Sequence, residues 1–99
     1  MSNLTCKLTT PEFRARKATI IAELKSLSVG REEMENGYRY TFSGSDEILD
    51  LLTSFIKSER NCCDFFSYRL TVGEPMGHTY LDLIGPEGVK QFIKEHIEL

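Results

Sequence analysis

The stretch Val29-Gly30-Arg31-Glu32-Glu33-Met34-Glu35-Asn36-Gly37-Tyr38-Arg39-Tyr40-Thr41-Phe42, followed closely by Ser45-Asp46-Glu47, decides how this chain folds. Two extended runs, Val29 to Met34 and Tyr38 to Phe42, flank an Asn36-Gly37 dipeptide. Asn-Gly in that setting is the strongest short hairpin signal, because both residues tolerate the positive φ of a tight turn. Tyr38, Tyr40 and Phe42 recur with period two and so share one face of a strand. Ser45 then supplies a helix cap, and Asp46 and Glu47 suit the positive end of the helix dipole. A strand pair therefore feeds straight into a helix.

Downstream, Ile48, Leu51, Leu52, Phe55 and Ile56 form an apolar helical stripe that continues onto Glu59, Cys62 and Cys63. Phe66, Tyr68, Leu70 and Val72 alternate as a further strand. The turn Gly73-Glu74-Pro75-Met76-Gly77 returns the chain along Thr79 to Ile84, with Leu81 and Leu83 inward. Gly85-Pro86-Glu87-Gly88 opens a last helix with Val89, Phe92, Ile93 and Ile97 on one side. Upstream, Thr10 is a cap, Pro11 a first helical residue, and Glu12 lies in the first turn. Phe13, Ile20, Leu24 and Leu27 make residues 11–27 an amphipathic helix, with Gly30 closing it or just beyond, while Leu4, Cys6 and Leu8 alternate as a short opening strand. The expected order is β-α-β-β-α-β-β-α. It describes one α+β domain over residues 1–99, a largely antiparallel sheet of four to five strands with helices packed on one face.

Ninety-nine residues suffice for one core and not two. Fifteen acidic against 12 basic side chains give a net charge of −3 without a basic stripe, which argues against gripping phosphate backbones and so against nucleic-acid binding. The first residues lack the charged-then-apolar pattern of a signal peptide, and no apolar run approaches the roughly 18 residues of a membrane span. The expected compartment is the cytoplasm, where three cysteines, an odd number, remain thiols rather than a disulfide framework. No glycine motif for a nucleotide cofactor is present. A sheet with one uncovered face makes a homodimer the candidate assembly.

The chemically pointed feature is the adjacent pair Cys62-Cys63. Glu59 precedes the two by three and four residues, so all three can gather on one side of a helix. Consecutive helical residues diverge by about 100°, so neighbouring cysteines share an ion only where the helix unwinds, as expected just before Phe65-Phe66. The alternative is packing, since a free cysteine often behaves as a small hydrophobe, and Cys6 lies on the Leu4/Leu8 face. A vicinal disulfide would be strained. The helix C-terminus, Glu59 and Asp64 all raise a thiol pKa, with Arg60 offsetting them in part, which favours a metal over an activated nucleophile. Three thiolates from Cys62, Cys63 and Cys6 suit two- or three-coordinate Cu(I), Hg(II) or As(III); Zn(II) needs a fourth ligand, from Glu59 or His96. Glu59 otherwise reads as an edge residue reaching water; buried beside the thiols it becomes a proton acceptor, the basis of an alternative enzyme using Cys62 with Glu59 as base. His78 reads as exposed, His96 as a partly buried histidine, and Arg14, Arg16 and Lys17 as a solvated helix face.

The segment Glu59-Arg60-Asn61-Cys62-Cys63-Asp64-Phe65-Phe66, then Leu70, Leu81-Asp82-Leu83-Ile84-Gly85-Pro86-Glu87-Gly88 and the opening Cys6-Lys7-Leu8-Thr9, resembles a family of small uncharacterised bacterial proteins with a Glu-Arg-x-Cys-Cys-x-Phe motif. Comparable segments occur near or fused to heavy-metal-responsive regulators. The resemblance covers most of the chain and implies a bacterial cytosolic protein that handles a metal or metalloid, with Cys6, Glu59, Cys62, Cys63 and Phe65 at the matching positions. One departure is Asp64, where the family often has a proline that would stop the helix at the pair. The expected functions are thus soft-metal sequestration, transfer or sensing; a cysteine-dependent redox or detoxification enzyme; or a dimeric structural module with packed cysteines.

Overall fold

The computed structural model describes residues 10–62 and 65–97, without the side chains of Phe13, Cys62 and His96. The chain runs α1 (Pro11–Leu27), β1 (Gly30–Met34), β2 (Gly37–Ser43), α2 (Asp46–Cys62), β3 (Ser67–Val72), β4 (His78–Ile84) and α3 (Val89–His96). The opening strand expected at Leu4–Leu8 lies outside the described residues. The four described strands form one sheet in the order β1-β2-β4-β3, every neighbouring pair antiparallel. This is an α+β fold.

Local chemistry accounts for most boundaries. Thr10 accepts the first α1 bond on its carbonyl, from the Arg14 amide at 3.0 Å. The Ser45 hydroxyl accepts from the Ile48 amide at 3.3 Å, the side-chain cap expected for α2. The β1–β2 hairpin falls where Asn36-Gly37 points, but its two-residue loop is Glu35-Asn36, and Gly37 is already the first residue of β2. Gly37 is needed for another reason. It faces Ile84 across the sheet, and a Cβ there would collide with the Leu83 carbonyl oxygen. Gly88, just before α3, has φ 95°, a left-handed conformation that favours glycine.

The pleat sorts the side chains. Tyr38, Tyr40, Phe42, Leu81 and Leu83 are buried and share a core with Ile48, Leu52 and Phe55 of α2 and with Val89, Phe92 and Ile93 of α3. Helices α2 and α3 therefore cover one face, α2 against β4 and α3 against β2. Helix α1 makes its main contacts with α2. Its Leu24 is fully buried, whereas Leu27, expected on the buried stripe, is 45% exposed because the helix ends there. Burial fades along the edge strand β3, from Phe66 to Val72 at 51% exposed. Arg31 lies over the Tyr38 ring at 5.1 Å and shields the sheet near its β1 edge.

Candidate functional site

Glu59 continues the apolar stripe of α2 one turn past Phe55, and like Phe55 it is buried. This corrects the expectation of an edge residue reaching water. A lone buried carboxylate costs several kcal/mol, so it needs a cation. The cation is Lys17 of α1, whose Nζ lies 3.3 Å from Glu59 Oε1 and whose side chain is only 14% exposed. Lys17 thus leaves the solvated face predicted for it, while Arg14 and Arg16 remain exposed. Periodicity within either helix carries no sign of this pair; it arises only when α1 and α2 lie together.

Cys62 is the last described residue of α2, one turn beyond Glu59. Its side chain and the whole of Cys6 and Cys63 are outside the described residues. Immediately after them the chain is pinned. The Phe65 ring packs on Phe66 at 4.8 Å and edge-on against Phe92 at 4.9 Å, and Phe66 meets Phe92 at 5.8 Å and Tyr68 at 5.7 Å. Gly85 makes room for the Phe65 backbone, since a Cβ there would sit 3.2 Å from the Phe65 carbonyl oxygen. The Glu59–Lys17 pair thus precedes the two cysteines in the chain, and an aromatic cluster follows them.

Among the described residues, no group of three or more His, Cys, Asp or Glu side chains is placed to hold a metal ion. His78 is exposed as expected, and His96 ends α3 with its side chain outside the described residues. A cleft of about 560 Å³ opens where the hairpin meets α3, between Glu35, Asn36 and Gly85 to Lys90. Its cation is engaged: Lys90 Nζ donates to Glu33 Oε2 at 2.8 Å, and that bond holds the Glu33 carboxyl below its ordinary range. No described helix is long and apolar enough to cross a membrane. No family model, curated protein or solved structure matches this chain.

Proposed function

We propose that this protein binds a soft metal or metalloid ion through the thiolates of Cys62 and Cys63, with Cys6 as third ligand, for sequestration, transfer or sensing in the cytoplasm. The observation that supports the reading is that α2 is described as far as Cys62 and is over by Phe65, which lies in the turn before β3. Neighbouring cysteines escape the roughly 100° divergence of helical neighbours wherever a helix gives out between them. Phe65, three residues past Cys62, is anchored edge-on against Phe92.

The Glu59–Lys17 pair favours low coordination numbers. Glu59 joins a metal only by giving up its buried cation, and the thiolates alone suffice for Cu(I), Hg(II) or As(III), whereas Zn(II) wants four ligands. Lys17 also offsets the Glu59 charge that would otherwise oppose thiolate formation nearby. The same pairing lowers the support for an enzyme with Glu59 as base, because the carboxylate already faces an ammonium group. The test is anaerobic titration of the reduced protein with Cu(I) or Hg(II), followed by absorption and metal analysis. One ion per chain with a thiolate charge-transfer band is expected, lost in the Cys62→Ser/Cys63→Ser variant. Equal uptake by that variant would sink the proposal.

A further inference from the structure

No described helix covers the second face of the sheet, and the strand register places an ordered row of charges on it. Glu32 pairs in register with Arg39, Arg39 with Asp82, and Asp82 with Arg69, so one line across β1, β2, β4 and β3 reads acid, base, acid, base. Arg39 grips the buried Asp82 with two bonds, Nε to Oδ1 at 2.8 Å and Nη2 to Oδ2 at 3.0 Å. The outer members, Glu32 and Arg69, are exposed and form no ion pair among the described residues. Beside the row, Tyr80 lies between Thr41 and Thr71, with the Arg39 guanidinium 5.4 Å from its ring centre.

We propose that this face docks a second copy of the same chain, through a two-fold axis parallel to the strands between β2 and β4. That rotation reverses the row. Glu32 of each copy then meets Arg69 of the other, so both outer contacts are between opposite charges, while Asp82 stays buried beneath its own Arg39 in each copy. The row is its own complement only when reversed, which is what a two-fold face-to-face contact supplies. Its two positive and two negative members cancel, so it offers no net attraction to a polyanion or a polycation. Four strands about 4.8 Å apart and six or so residues of about 3.3 Å give a footprint of roughly 400 Å² per copy, at the weak, reversible end of protein interfaces. Its exposed outer ion pairs make it salt-sensitive.

Glu32 and Arg69 stand three strand spacings apart in one chain, roughly 14 Å, so any strong coupling between them must arise between copies. Sedimentation of the full chain at low and high salt tests this. The native chain is expected to dimerise reversibly at low salt and to dissociate as salt rises. Glu32→Arg alone and Arg69→Glu alone are each expected to weaken self-association by roughly tenfold or more, because like charges then meet at both ends of the contact. Mixing the two variants restores every opposite-charge contact and is expected to restore the dimer. Each reversal also sets like charges beside Arg39 or Asp82 in its own chain, so circular dichroism checks folding and Glu32→Gln and Arg69→Gln serve as milder variants, expected to weaken association less. A native chain that stays monomeric at every concentration overturns the proposal. So does a dimer indifferent to folded variants of either kind, or a mixture that fails to reassociate.

Discussion

Tyr40 shows how a single buried atom is felt. Its ring is fully buried between the helices and β2, and its hydroxyl has no hydrogen-bond partner among the described residues. Burial pushes its phenol well above the ordinary value of about 10, with Arg31 opposing the shift only in part. A group whose folded pKa is raised contributes stability fully present below the unfolded value, and loses it as pH climbs from there toward the folded one. The folded chain is therefore expected to weaken above pH about 10. Tyr40→Phe removes both the unpaired hydroxyl and the titration. At neutral pH it is expected to change stability by no more than about 1 kcal/mol, in the stabilising direction, since nothing buried is left without its bond. Above pH about 10 its urea midpoint should fall less steeply than that of the native chain. A variant that loses more than the ring contacts explain at neutral pH would show that the hydroxyl has a partner after all.

Among the elements, the β1–β2 hairpin separates what the sequence makes legible from what it hides. Asn36-Gly37 marks the turn because both residue types tolerate tight-turn backbone, and Tyr38, Tyr40 and Phe42 reveal their shared face through period two. Ser45, Thr10 and Pro11 announce helix ends for equally local reasons. The role of Gly37 was hidden, because it depends on β4, which lies 40 or more residues away in the chain and slots in beside β2. The strand order and the Lys17–Glu59 pair were hidden in the same way: periodicity names a face and never the element that covers it. The thiols are visible as residues, but whether they converge is a tertiary matter that no spacing decides. Gly37→Ala is expected to cost about 3 kcal/mol, because the clash is with backbone at the centre of the sheet and neither strand can retreat cheaply. Gly30→Ala is the control. Its Cβ would meet only the Thr41 side chain at 3.9 Å, an ordinary contact, so its stability should stay within about 0.5 kcal/mol of native. Urea denaturation of the two variants checks the contrast, and equal losses would show that close backbone approach is not what keeps Gly37 bare.

Across the whole molecule, stability is unevenly spread. Strands β2 and β4 sit at the centre of the sheet with Tyr40, Phe42, Leu81 and Leu83 fully buried. Helix α1 rests mainly on α2, with Leu24 fully buried, Ile20 and Ile21 partly so, and the Lys17–Glu59 pair. An element with so little buried surface opens before the rest. Native-state hydrogen exchange is therefore expected to show α1 amides opening at a lower free energy than those of β2 and β4. Lys17→Met leaves the Glu59 carboxylate without its cation and should lower α1 protection by about 3 kcal/mol or to its floor. Lys17→Met with Glu59→Leu should recover much of that loss, because a hydrophobic pair of similar size removes the stranded charge. The same measurement tests the proposed thiolate binding. Cys6 precedes α1 in the chain and Cys62 is the last described residue of α2, so an ion shared between them would tie the weak helix to the strong one. Loading with Cu(I) or Hg(II) should then raise protection across α1 while β2 and β4 stay as they were. Loading that leaves α1 unchanged removes Cys6 from the ligand set, and α1 amides as protected as those of β4 in the metal-free chain would contradict the order of opening itself.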